Sequence, residues 1–123
     1  MQAWTWIAVA VAGAAGALSR FAVTQGLKEW LGEGPWPVAA VNVLGCFGFG
    51  VCSGLLQGRV PQAVYVGVLA GFFGAFTTFS AFASDGVQLL EARRFVAFAG
   101  SVVLQNALGV VALLGGLAMT ARA

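Results

Sequence analysis

The most chemically informative stretch of this chain lies between residues 74 and 82, inside an otherwise apolar segment. Thr77, Thr78 and Ser80 carry hydroxyl groups that can bond to backbone groups leaving helical geometry, and Gly74 lowers the cost of leaving it. An interruption here would free carbonyl oxygens, which are hard ligands suited to a small cation. The half-helix after it would direct its amide dipoles, positive end first, at the same place. A continuous helix with a Thr/Ser packing face is the alternative.

Two phenylalanines alternate with these hydroxyl residues. Phe79 and Phe82 are three positions apart and therefore share a helix face. An aromatic ring has a negative face and a positive edge, so two inward-turned edges could meet an anion without a formal charge. Ordinary packing or lipid contact is the competing interpretation, since the chain has ten phenylalanines.

Other polar side chains also lie in apolar segments. Asn42 offers two donors and one acceptor, either for a hydrogen bond between helices or for an ion pathway. Arg20 could extend its stem to the membrane interface, or stand at the mouth of a vestibule and concentrate anions. Ser101 and Gln105 are four positions apart, with Asn106 adjacent. They could form a polar stripe or hydrogen-bond to another helix.

The residue types that are missing narrow the chemistry. The chain has no histidine and no nucleophile paired with a base, which argues against an enzyme. No carboxylate falls centrally in an apolar segment, because Asp85 lies late in the third and Glu91 lies in a connection. A proton-coupled exporter usually needs such a carboxylate. Neutral donors, ring edges and one arginine therefore favour an anion over a cationic drug.

Two other features carry little functional information. Cys46 and Cys52 are six positions apart in one apolar segment, and we interpret them as reduced packing residues. The net charge of +2 is too small to indicate a nucleic acid partner.

Composition indicates the elements that position these residues. Sixty per cent of the residues are hydrophobic and 8% are charged, whereas soluble domains carry about 25% charged residues. A membrane-spanning helix needs about 20 apolar residues. Segments of that length fill the chain at residues 4–27, 38–57, 63–90 and 95–119. The sequence predicts an all-α integral membrane protein with four transmembrane helices, the third broken mid-span, and residues 1–123 as a single transmembrane domain.

The positive charges hardly favour one orientation of the chain in the membrane over the other. With four spans, Arg59 and Arg122 flank one side, and Lys28, Arg93 and Arg94 flank the other. Positive charge normally marks the cytoplasmic side, so a bias of two against three predicts insertion in both orientations. Two opposed copies would form an antiparallel homodimer, the two-chain analogue of an inverted repeat.

Three motifs, in chain order, resemble the small fluoride channels of the Fluc/CrcB type. Residues 13–21 read GAAGALSRF, residues 42–47 read NVLGCF and residues 71–82 read GFFGAFTTFSAF. They are similar to the family signatures Gly-x-x-Gly-Ala-x-x-Arg-aromatic, Asn-x-x-Gly-x-Phe and Gly-x-x-Gly-x-x-Thr-Thr-Phe-Ser-x-Phe. The third motif is highly specific, and the resemblance covers essentially the whole chain.

The resemblance implies a passive fluoride-selective channel that exports fluoride and protects the cell from its toxicity. It implies a multi-pass protein of the bacterial plasma (inner) membrane, whose partners are fluoride, membrane lipid and a second, antiparallel copy of the chain. It also implies a structural Na+ at the dimer centre, held by backbone carbonyls of Gly74 and Thr77 from both subunits. The predicted fluoride pathway consists of polar and aromatic residues of all four helices: Asn42, Phe79, Phe82, Thr78, Ser80, Ser101 and Arg20.

Two departures from the family pattern stand out. Ala75 follows Gly74 where the family often has a second glycine. The fourth segment lacks the family's tyrosine and serine ladder, so only Ser101, and Gln105 by its spacing, match there.

Two other functions compete with the channel. A small four-helix multidrug or cation exporter shares the length and weak charge bias but needs a membrane carboxylate. An assembly subunit of a larger complex would be inert when isolated.

Overall fold

The computed structural model describes residues 2–121 of the chain. Those residues form four helices that are long and apolar enough to cross a membrane: Ala3–Leu31, Trp36–Leu56, Gln62–Glu91 and Phe95–Thr120. We refer to them as the first to fourth helices. The prediction of an all-α chain with four such helices is confirmed.

The first helix is longer than the sequence predicts. It continues past Leu27 to Leu31, and Gly32 ends it with φ +74°, donating its N–H to the Lys28 carbonyl. Lys28 lies in the last turn, where its positive charge suits the negative end of the helix dipole. Charged residues here therefore extend the helix rather than end it. The bounds of the other three helices differ from the prediction by two residues at most.

Glycine brings the helices together in pairs. Gly16 of the first helix lies so close to the third that an added Cβ would collide with the Phe72 carbonyl. Gly50 of the second helix meets the Leu113 carbonyl of the fourth in the same way, and Gly116 meets the Phe47 carbonyl. Close approach of backbones through small residues is the usual way that helices pack in lipid. The first helix therefore packs on the third and the second on the fourth.

The third helix is irregular at two places. Gly67–Phe73 is π-helical, a geometry that recurs at functional sites. The α-helix then ends at Phe76, and the backbone of Thr77 and Thr78 is extended, with φ/ψ of −80°/154° and −145°/119°. The helix resumes as Phe79–Glu91.

This interruption is local. The helix bends by only 17°, so the expected break into two separate half-helices is not confirmed. Two extended residues are enough to remove Thr78 from the helical hydrogen-bond ladder, and that change shapes the site.

Candidate functional site

Asn42 of the second helix binds the extended segment of the third. Its Oδ1 accepts from the Thr78 N–H at 2.8 Å, and its Nδ2 donates to the Thr78 carbonyl at 3.1 Å. One side-chain amide therefore satisfies both polar groups of one peptide residue. Backbone that leaves the helix inside a membrane survives only with such partners.

The threonines secure the two ends of the interruption. The Thr77 hydroxyl donates to the Phe73 carbonyl at 2.9 Å, which closes the preceding turn. The Thr78 hydroxyl accepts from the Ala81 N–H at 3.2 Å and caps the helix that follows. It also lies 3.3 Å from the exposed Ser80 hydroxyl. The two threonine hydroxyls therefore stabilise the helix ends on either side of the two extended residues.

The fourth helix adds a second amide to Asn42. Asn42 Nδ2 donates to Gln105 Oε1 at 2.7 Å, and Gln105 Nε2 donates to the Ser101 hydroxyl at 2.9 Å. Ser101 is 1% exposed and anchors this chain of bonds. The polar stripe on the fourth helix is thus tied to the second helix and, through Asn42, to the third.

Phe79 and Phe82 stand beside these amides. Their ring centroids are 5.5 Å apart and their planes are inclined by 48°. Together with Asn42, Gln105, Thr77 and Thr78 they line a cleft of about 220 Å³. Phe79 is 79% exposed in the single chain, so one wall of this cleft is open along its side.

Two more residues line the same cleft, and sequence reasoning did not assign them there. Cys46, interpreted as a packing residue, lies one helical turn after Asn42 and so shares its face. Asn106 is exposed and bonds to the Val102 carbonyl of its own helix at 2.8 Å. The i,i+4 spacing from Asn42 was the signal that could have identified Cys46.

Arg20 lies on the opposite side of the extended segment. Its Nε donates to the Ala75 carbonyl at 3.1 Å. With Thr24, Gln25 and Thr78 it lines a second cavity of about 150 Å³. Because Thr78 lines both spaces, the extended segment forms the partition between them.

The structure brings only some of the predicted pathway residues together. Asn42, Thr78, Phe79 and Phe82 meet at the cleft. Ser101 stands behind Gln105, and Arg20 belongs to the second cavity. The roles of these residues in ion movement stay predictions.

The backbone of Gly74 belongs to the predicted cation site, which stays a prediction. A continuous helix would direct the Thr78 N–H at the Gly74 carbonyl, but that N–H binds Asn42 Oδ1 instead. Gly74 is exposed, and an added Cβ there would meet no atom within 4 Å. The Gly74 carbonyl thus loses its helical donor at an exposed position of the third helix where no other helix packs.

The fold and the cleft define a small polytopic membrane protein with a polar, amide-lined interruption in its third helix. The family model described as CrcB-like protein, Camphor Resistance (CrcB), matches residues 7–117. The chain belongs to the CrcB-like family.

Curated relatives match over nearly the whole length. The chain is 40% identical over 114 residues to the fluoride-specific ion channel FluC of Solidesulfovibrio magneticus, covering 90% of this chain and 91% of the relative. It is 41% identical over 114 residues to the protein of that name from Rhizobium leguminosarum, with the same coverage of 90% and 91%. The relative of that name from Nitrosococcus oceani is 40% identical over 118 residues, or 94% of this chain and 93% of the relative.

Proposed function

We propose that this protein is a passive, fluoride-selective ion channel that exports fluoride and protects the cell from its toxicity. The observation that carries the proposal is the identity of about 40% to fluoride-specific ion channels over nine-tenths of the chain. Such a protein is a channel and not an enzyme. The multidrug-exporter alternative has no support from these relatives.

The cleft suits a small anion that must lose its water. Fluoride holds its hydration shell tightly, so replacement donors have to stand close to its path. Amide N–H groups, the Thr78 hydroxyl and the Phe79 and Phe82 ring edges are neutral. Conduction requires binding that is weak enough for release, and neutral groups meet that requirement better than a fixed cation would.

We further propose that the working unit is an antiparallel homodimer. Ser80 and Asn106 are exposed near the interrupted part of the third helix, where lipid cannot satisfy polar groups. Phe79 and Gly74 are exposed beside them. A second copy placed against this surface would cover the open wall of the cleft. The charge bias of two against three supports opposed insertion, although Arg122, one of the two, lies outside the described residues.

A structural Na+ at the dimer centre fits the backbone near Gly74. The Gly74 carbonyl lacks its helical donor, and Thr77 is extended. Carbonyl oxygens are hard ligands suited to a small cation. We propose that Gly74 and Thr77 of both copies would hold the ion, which when bound would supply positive charge at the centre of the dimer. Wider separation of the two halves of the third helix is part of this proposal.

The protein is a multi-pass membrane protein by its helices and its relatives. We assign it to the bacterial plasma (inner) membrane with its helices in contact with lipid. Trp4, Trp6 and Trp30 lie near opposite ends of the first helix and are 71%, 69% and 88% exposed. Tryptophan is enriched at both membrane interfaces, which agrees with a helix that spans the bilayer.

Anion efflux from liposomes tests the function. Vesicles that contain the purified protein should release fluoride and retain chloride, with no requirement for a proton gradient. Equal release of the two anions would contradict selectivity. Proton flux driven by a cationic substrate would instead support an exporter, and an inert but folded dimer would support an assembly subunit.

A further inference from the structure

Both side-chain hydrogens of Asn42 are already in use. A primary amide has two N–H groups, and Asn42 Nδ2 donates to the Thr78 carbonyl at 3.1 Å and to Gln105 Oε1 at 2.7 Å. An anion that enters the cleft therefore finds no free N–H on Asn42.

The orientation of both amides follows from the backbone. The Thr78 N–H can only donate, so Asn42 must direct Oδ1 at it and Nδ2 away from it. Gln105 must then present Oε1 to Asn42, which leaves Nε2 for the Ser101 hydroxyl. Turning the Gln105 amide over would set two NH₂ groups against each other. Gln105 thus holds its acceptor, and not its donor, against Asn42.

Of the two hydrogen bonds that Asn42 donates, only one can be broken at a small free-energy cost. The bond to the Thr78 carbonyl is held in place by a second bond between the same two residues, from the Thr78 N–H to Asn42 Oδ1. The bond to Gln105 ends on a half-buried, unbranched side chain that lines the cleft and can rotate. An arriving anion would therefore replace Gln105 Oε1 rather than the Thr78 carbonyl.

We propose that Gln105 is a displaceable competitor for the anion and sets the affinity with which the channel binds it. Its Oε1 occupies one Asn42 hydrogen until an anion that accepts hydrogen bonds more strongly takes its place. Fluoride is compact and a strong acceptor, so it can displace Gln105 Oε1 from the Asn42 hydrogen. This inference rests on the proposed function and adds a residue that sets how tightly the ion binds.

The substitution Gln105→Met tests the competition. Methionine keeps an unbranched side chain of similar length but has no amide, so it frees the Asn42 hydrogen. One net hydrogen bond corresponds to roughly fivefold in affinity, so the fluoride midpoint should fall by about that factor. Chloride should gain affinity by the same factor, because both anions displace the same bond, so the ratio of the two affinities should stay unchanged. Gln88→Met is the matched control, because it makes the same exchange at an exposed residue of the third helix that lines neither cavity.

The amide of Asn42 itself gives the readout. The chain contains two asparagines, Asn42 and Asn106, so ¹⁵N-asparagine labelling yields two side-chain NMR signals, and Asn106→Leu identifies which is which. Fluoride should shift the Asn42 signal in the wild-type protein, and in Gln105→Met the midpoint should be about fivefold lower. The Gln88→Met midpoint should match the wild type.

Two results would overturn the inference. The first is an Asn42 midpoint for fluoride in Gln105→Met that equals or exceeds that of the wild type. If wild-type liposomes still release fluoride, this result rejects the inference and leaves the proposed function standing. Fluoride that shifts no Asn42 signal in a wild-type protein that also fails to release fluoride would reject the proposed function, and this inference with it.

Discussion

The side-chain amide of Asn42 and the peptide groups of Thr78 bond to each other twice, at 2.8 Å and 3.1 Å. In this pairing a side chain does what a neighbouring strand does for extended backbone in a sheet. It allows Thr78 to leave the helical hydrogen-bond pattern while both of its own peptide groups stay paired. The interruption of the third helix, the cleft beside it and the loss of the helical donor to the Gly74 carbonyl all depend on this pair of bonds.

Replacing Asn42 should damage both stability and conduction. Asn42→Ala leaves the Thr78 N–H and carbonyl without their partners, at a cost of about 1–3 kcal/mol for an unsatisfied buried group. We expect a lower free energy of unfolding in detergent and loss of fluoride efflux. Asn106→Ala is the control, because Asn106 is exposed and bonds only within its own helix. Equal stability of the two variants would contradict the structural role of the Asn42–Thr78 pair.

The two phenylalanines should matter for flux and not for folding. Phe79→Ile or Phe82→Ile removes a ring edge from the cleft, so fluoride efflux should be blocked or strongly reduced. Phe79 is largely exposed in the single chain, and the dimer should still form on size-exclusion chromatography. Phe95→Ile offers a comparison, because Phe95 is exposed at the start of the fourth helix, away from the cleft. Normal efflux from both cleft variants would remove the ring-edge role.

Two glycines of the first helix should respond in opposite ways to alanine. A Cβ on Gly16 would strike the Phe72 carbonyl, whereas a Cβ on Gly26 would meet no atom within 4 Å. Gly16→Ala should destabilise the protein by about 1–3 kcal/mol, the usual cost of overpacking. Gly26→Ala should stabilise it by about 0.5–1 kcal/mol, because alanine favours the helix. Unfolding in a mixed detergent series measures both, and a similar change in the two would show that the first and third helices are not in close contact.

The balance of positive charge should control the orientation of the chain. Gln57→Lys with Gln62→Lys adds charge to the second connection, and Glu33→Lys with Ala92→Lys adds it to the first and third. Each double variant expressed alone should insert in one orientation and give no fluoride resistance. Co-expression should restore resistance, because the two orientations can then pair. Full resistance from either variant alone would contradict an antiparallel dimer.

Much of the fold follows from composition and spacing. Long apolar runs separated by glycine, proline and charge predict the four helices, because lipid requires every backbone group to be bonded internally. The predicted end of the first helix, at residue 27, was too early, because Lys28 and Glu29 are good helix formers and continue the helix to Leu31.

The site, like the fold, could be predicted from the sequence only in part. The spacing of Thr78, Phe79 and Phe82 predicts a shared face, since those residues are local in sequence. The bond from Asn42 to Gln105 joins residues 63 positions apart, and it depends on how the second and fourth helices pack. The bond from Arg20 to the Ala75 carbonyl, across 55 positions, depends similarly on the first and third. Local pattern carries no information about either contact.

The reversal potential of the purified protein in a planar bilayer tests passive fluoride selectivity most directly. With a tenfold fluoride gradient and equal chloride on both sides, the current should reverse at the fluoride equilibrium potential, about 59 mV for a monovalent ion at 25 °C. A tenfold chloride gradient at equal fluoride should leave the reversal near zero. A reversal that follows the chloride gradient, or that moves with a proton gradient imposed alone, would contradict a passive fluoride-selective channel.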